Sequence, residues 1–218
     1  PVKDTLSKST DYSFRRNRTF SPHRATVARL QRRTIMARIA IPAVQDAPAK
    51  SQPILENYVK VLGLVPNFFA LISQSPDALK AIAEMHATLG KSLGHKTRER
   101  LHIMTAEVNG CSYCLTAHTY LGGKLNGLTK EDMELNREGH STDPQADAAL
   151  QFAYKVAKSR GHIDDADFAA VRAAGFTDAQ IIDIVAETAF SFITNLFNNT
   201  FKTDFDSSFP ELHTKKAA

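Results

Sequence analysis

From about Gln52 onward apolar residues recur three and four positions apart, and no two alternating runs are joined by a hairpin turn. Spacing of this kind gathers apolar side chains into one stripe along a helix, so the pattern predicts an all-α fold. Start signals keep step with it: Ser75 before Pro76, Thr129 three residues before Asp132, Asp164 before Asp167, and Thr177 before Gln180. Each places a side-chain oxygen where it can accept from the first unpaired backbone N–H groups of a helix. Gly63, Gly110, Gly127, Gly161 and Gly175 fall where those helices should stop, which cuts the chain into about eight helices. The last, beginning near Thr177, is apolar on nearly every side through Ile181, Ile184, Phe190, Ile193 and Phe197. Such a helix belongs in the centre of the core or in a subunit interface.

Composition narrows the class. The chain has 218 residues, 43% hydrophobic and 23% charged, enough to bury one real core. Its most apolar stretch, residues 181–201, is broken by Asp183, Glu187 and Asn195, which argues against a membrane span. The net charge of +4 is unevenly spread: residues 1–35 hold nine Lys and Arg against two acids, so the rest of the chain is mildly acidic. A nucleic-acid-binding domain would carry positive charge on its folded face, so no nucleic-acid partner is expected. The basic segment 1–35 lacks apolar periodicity and is expected to be disordered. It reads as an artefact upstream of an initiator at Met36, as a mitochondrial-type transit peptide, or as a basic arm. The expected organisation is this leader over residues 1–35, one all-helical domain over 36–210, and a short tail over 211–218. Two cysteines are too few for a disulfide scaffold and point to a reducing compartment. A cytoplasmic location is expected, or a mitochondrial one if the leader is a transit peptide.

The chemistry is concentrated between Arg98 and Gly122. Asn109 and Gly110 should end one helix, which sets Cys111 at the start of the next and Cys114 one turn in. At about 100° per residue, Cys111, Cys114 and His118 fall within an arc of about 60° and share one face. A helix N-terminus and a nearby imidazole both lower a thiol pKa, so this face supplies an activated thiol, a partner thiol and a base. Two cysteines three positions apart can close a disulfide, and a sulfenic acid formed on one can be condensed by the other. Glu99, twelve residues before Cys111, can meet His118 if the two helices fold back on each other. His95 and His102 flank Glu99, but the spacing is not that of a metalloprotease helix. Tyr113, Tyr120 and the phenylalanines at 190, 192, 197, 201, 205 and 209 read first as packing. A different use of the pair would be a zinc site, with Cys111, Cys114, His118 and Glu99 as ligands of a non-catalytic binding or assembly protein.

The pattern Glu99-x11-Cys111-x2-Cys114-x3-His118 resembles the signature of the alkylhydroperoxidase (AhpD-like) branch of the carboxymuconolactone decarboxylase superfamily, in its peroxidase-related form. The resemblance is densest over residues 79–125 and extends, through an Asn-rich end near Asn195 to Asn199, to about residues 36–210. It implies an all-helical fold assembled as a homo-oligomer, trimer or hexamer, with the cysteines in a cleft near a subunit interface. It implies thiol-dependent reduction of organic hydroperoxides, with Cys114 attacking, Cys111 resolving, and Glu99 with His118 relaying protons. The dipole argument alone would favour Cys111 as the activated thiol. Tyr113 stands where some members carry a His, which bears on the relay and on the reductant. The decarboxylases that name the superfamily do not depend on such a cysteine pair, so its presence argues against lactone decarboxylation. No metal or organic cofactor is required, because the cysteines carry the electrons and an external dithiol protein resets them. The rival enzyme reading is a general thiol-disulfide reductase.

Overall fold

The capping side chains close on the backbone donors that the sequence predicts. Ser75 accepts from the Ala78 N–H, Thr129 from Asp132, Asp164 from Asp167, and Thr177 from Gln180, whose own side chain accepts from the Thr177 N–H. The computed structural model describes residues 37–207; the leader expected over 1–35 and the tail expected over 211–218 lie outside the described residues, as does Phe209. Among the described residues there are nine α-helices: α1 (Gln52–Leu62), α2 (Asn67–Ile72), α3 (Pro76–Leu89), α4 (His95–Val108), α5 (Ser112–Lys124), α6 (Lys130–Arg137), α7 (Pro144–Ser159), α8 (Asp165–Ala173) and α9 (Asp178–Phe201). The fold is all-α, as expected, with nine helices among the described residues where the start and stop signals indicate about eight. The shortest, α2, has residues Phe68 to Ile72 all buried.

The centre of the domain is α4, not the final helix. Every residue from Arg100 to Ala106 is buried. On one side Ile103 and Ala106 pack with Leu55, Phe68, Leu79 and Phe190; on another, Leu101 and Met104 pack with Leu150, Phe152, Val171 and Ile184. Burying a side chain of this size contributes about 1.5–3 kcal/mol, so α4 is held from both sides. Arg100 is turned inward as well. Arg100 donates from Nε and Nη2 to Asp132 Oδ2 at 3.1 and 2.8 Å, fixing α6 against it.

The long α9 buries one face, including Ile184, Glu187, Phe190, Ser191, Asn195 and Asn198. Its other face leaves Ile182, Val185 and Leu196 exposed, at 67%, 39% and 63%. By length and composition α9 is the one helix among the described residues that could cross a membrane. Here its polar residues enter the core against α4 and α5, where they bear on the thiols.

Candidate active site

Gly110 places the first thiol. Its φ of +60° turns the chain out of α4, where the Cys111 N–H still donates to the Ala106 carbonyl at 2.9 Å; that backbone conformation suits glycine because it lacks a Cβ. Cys111 is thereby the N-cap of α5, and its sulfur accepts from the Cys114 N–H at 3.3 Å. One turn on, the two sulfurs stand 2.6 Å apart, with the Cys111 thiol donating to Cys114 Sγ. Both are free thiols, 1% and 3% exposed.

The expected meeting of Glu99 and His118 occurs. As α5 folds back along α4, His118 Nδ1 comes to 2.8 Å from Glu99 Oε2, which leaves the other ring nitrogen free of the carboxylate. Burial favours the neutral ring of His118, but the Glu99 carboxylate outweighs it and raises the imidazole pKa. Burial likewise favours a protonated Glu99, and His118 more than reverses this, so the carboxyl stays below its usual range. The His118 ring stacks on His102 with centroids 4.3 Å apart and planes 7° from parallel. Burial, then the positive charges of His118 and Arg98, hold His102 well below the usual imidazole range. A neutral His102 lets a charged ring lie against it without like-charge repulsion.

Behind the stack lies a buried ion pair. Arg98 Nε is 2.7 Å from Glu187 Oε1, and His102 Nε2 is 3.3 Å from Glu187 Oε2. In front lies Cys114. Asn198 Nδ2 donates to Cys114 Sγ at 3.2 Å. Burial opposes a thiolate at Cys114, yet the Cys111 thiol, the His118 charge and the Asn198 and Asn195 amides bring its pKa down to about 7. The Cys111 thiol moves the other way, raised by its hydrogen bond to Cys114, by burial, and by the charge on Cys114. A proton shared by the two sulfurs therefore rests on Cys111.

Cys114 opens onto a cavity of about 110 Å³. Its walls are chiefly apolar, with Leu62, Pro66, Phe68, Phe69, Leu121 and Phe190, and the polar groups His86, His118, Thr194 and Asn198 converge on it. Tyr113 reaches it too, but its hydroxyl donates to Asp206 Oδ2 at 2.6 Å and accepts from the Phe68 N–H at 3.2 Å, tying α5 to α2 and to the segment after α9. Among the described residues no group of three or more His, Cys, Asp or Glu is arranged to hold a metal ion.

Comparison with known proteins bears on this arrangement. Residues 76–159, from the start of α3 to the end of α7, match the carboxymuconolactone decarboxylase family. The alkylhydroperoxidase AhpD core of a peroxidase-related protein from Ralstonia eutropha superposes with a TM-score of 0.71 at 29% identity, over 79% of this chain and 94% of that one. A peroxidase-related protein from a Silicibacter species gives a TM-score of 0.71 at 25% identity, over 79% and 93%. The chain thus carries a region similar to the carboxymuconolactone decarboxylase family and shares its fold with AhpD-like, peroxidase-related proteins. The same fold, at 18% identity and a TM-score of 0.62 over 73% of this chain and 87% of that one, occurs in the debrominase Bmp8 bound to 2,3,4-tribromopyrrole. No curated protein matches the chain.

The domain brings together all four residues expected from the sequence: Glu99, Cys111, Cys114 and His118. His95 is exposed at the start of α4 and Tyr120 does not line the cavity. Two groups at the site were not singled out from the sequence, His86 and the amide of Asn198. A signal for His86 exists: it follows Leu79 by seven residues and Ile82 by four, which puts a polar ring in the buried stripe of α3.

Proposed function

We propose that this protein is a two-cysteine thiol peroxidase that reduces organic hydroperoxides. The observation that carries the reading is a thiol of lowered pKa, Cys114, touching a second thiol at the edge of an apolar cavity. His118, held by Glu99, takes the Cys114 proton. The thiolate attacks the terminal oxygen of the hydroperoxide: the S–O bond forms as the O–O bond breaks, sulfur is oxidised by two electrons, and the departing alkoxide takes the proton from His118. Cys111 then attacks the Cys114 sulfenic acid, releasing water and closing the disulfide. An external dithiol protein returns both sulfurs to thiols.

The near-complete burial of both sulfurs supports a small peroxide over a protein disulfide as oxidant, which favours the peroxidase over a general reductase. The reductant meets the same barrier, so it acts when the first turn of α5 opens or by delivering a thiol through the cavity. The exposed apolar face of α9 supports the homo-oligomer, trimer or hexamer, that the family resemblance implies, and native mass gives its stoichiometry.

Intact mass before and after one equivalent of cumene hydroperoxide tests the reading. Loss of about two hydrogens per chain, blocked by prior alkylation, is the expected result. Cys114→Ser abolishes the reaction, and Cys111→Ser stalls at a sulfenic or overoxidised acid. An unchanged chain that retains a zinc-sized mass means the thiols are metal ligands and overturns the proposal.

A further inference from the structure

His86 reaches the cavity from α3 and takes no part in the relay between Glu99 and His118. Its ring is set among aromatic rings, with centroids 5.6 Å from Phe69, 5.6 Å from Phe190 and 6.4 Å from Tyr58. Neither ring nitrogen has a hydrogen-bond partner among the described residues. A phenylalanine in that wall would complete the aromatic cluster; the half-buried imidazole instead presents a donor and an acceptor to the cavity.

The polar groups that line the cavity thus differ in character. Cys114, His118 and Asn198 gather around the thiol, while the His86 imidazole, from α3, lines the same space without a partner of its own. A hydroperoxide is an apolar body carrying two oxygens. One of them must meet sulfur, and the other gathers negative charge as the O–O bond breaks.

We propose that His86 binds the leaving oxygen of the hydroperoxide, its ring N–H donating a hydrogen bond to that oxygen as the Cys114 thiolate takes the other. The inference rests on the peroxidase reading and adds a substrate-contacting residue to it. The bookkeeping of the step is unchanged: His86 keeps its proton, the alkoxide is protonated from His118, and the two electrons come from Cys114. Burial, then the positive charges of Arg98 and His118, bring the His86 pKa down to about 4. The ring is therefore neutral at pH 7 and always holds an N–H to donate.

The test separates peroxide chemistry from thiol reactivity. Single-turnover oxidation of Cys114 by cumene hydroperoxide is followed beside alkylation by iodoacetamide, whose iodide leaving group needs no hydrogen bond. His86→Phe should slow oxidation by about 10- to 100-fold, in keeping with the loss of one donor to a developing oxyanion, and leave alkylation and its pH profile unchanged. His86→Gln, which restores an N–H, should recover most of the lost rate. Oxidation of His86→Phe at the wild-type rate overturns the assignment, as does an equal loss in both reactions. If the wild-type thiol alkylates readily but ignores the hydroperoxide, the peroxidase reading itself falls, whatever the variants do.

Discussion

Asn198 Nδ2 lies 3.2 Å from Cys114 Sγ and joins residues 84 positions apart. The amide comes from the last turn of α9 and the sulfur from the first turn of α5, so the packing of the longest helix sets the charge state of the thiol. A hydrogen bond to a charged group contributes about 1.5–3 kcal/mol, and one pKa unit corresponds to about 1.4 kcal/mol. Asn198→Ala should therefore raise the Cys114 pKa from about 7 by about one unit. The thiolate exists above its pKa, so the midpoint of the rate of iodoacetamide alkylation should move to higher pH. An unmoved midpoint would mean that the amide does not stabilise the thiolate.

Glu99→Gln keeps the shape of the relay and removes its charge. Without the carboxylate, burial prevails at His118 and the imidazole pKa drops; the ring is then neutral at pH 7, and Cys114 loses one of the charges that lower its own pKa. Single-turnover oxidation should slow by about 10²-fold, with the alkylation midpoint again moved upward. Because Glu99 acts through His118, Glu99→Gln should cost almost nothing further in a His118→Ala background. Additive losses in the double variant would show that Glu99 has a separate task.

Much of the site was legible because it is local. Glu99, Cys111, Cys114 and His118 lie within twenty residues of one another, on two helices whose junction at Asn109 and Gly110 dictates that they fold back. Helix phase alone then aligns the thiols with the imidazole. The identity of the activated thiol was not local. The helix N-terminus favours Cys111, and its sulfur does accept the Cys114 N–H, yet the Cys111 thiol itself, then His118 and two amides from α9, lower the pKa of Cys114. The place of α4 was hidden for a similar reason. Arg98, Arg100 and His102 are turned toward partners on α9 and α6 that only tertiary packing supplies.

Tyr113 sits between the cysteines in sequence and lines the cavity, but its hydroxyl is bound outside the Glu99–His118 pair. Its hydroxyl bonds the buried Asp206 carboxyl, whose pKa is raised by burial despite the hydrogen bonds from Tyr113 and Asn67. Tyr113→Phe should destabilise the fold by about 1–3 kcal/mol, the cost of leaving a buried polar partner unmatched. Urea denaturation reads the loss. Oxidation of the thiols by hydroperoxide should change little, since neither sulfur nor the His118 ring touches that hydroxyl. A large kinetic loss with unchanged stability would reverse the assignment and put Tyr113 in the chemistry.

Glu187 is fully buried, and its partner Arg98 is 12% exposed. A carboxylate taken out of water at this depth is tolerated because the guanidinium lies 2.7 Å away; burial still raises its pKa, with Arg98 pulling the other way. Removing one partner leaves the other charge without compensation, a loss of about 3–5 kcal/mol. Glu187→Leu alone, or Arg98→Met alone, should each destabilise on that scale in urea unfolding. The double variant should be far less damaged than the sum of the two, because an apolar pair of similar volume carries no desolvation penalty. Simple additivity would mean that the charges do not act as a pair. The double variant also asks what the pair does for the site. His102 lies 3.3 Å from the same carboxylate and forms the platform under His118. If the ion pair fixes that platform, the double variant should fold yet oxidise slowly, and a wild-type rate would show that ring stacking alone holds His118 in place.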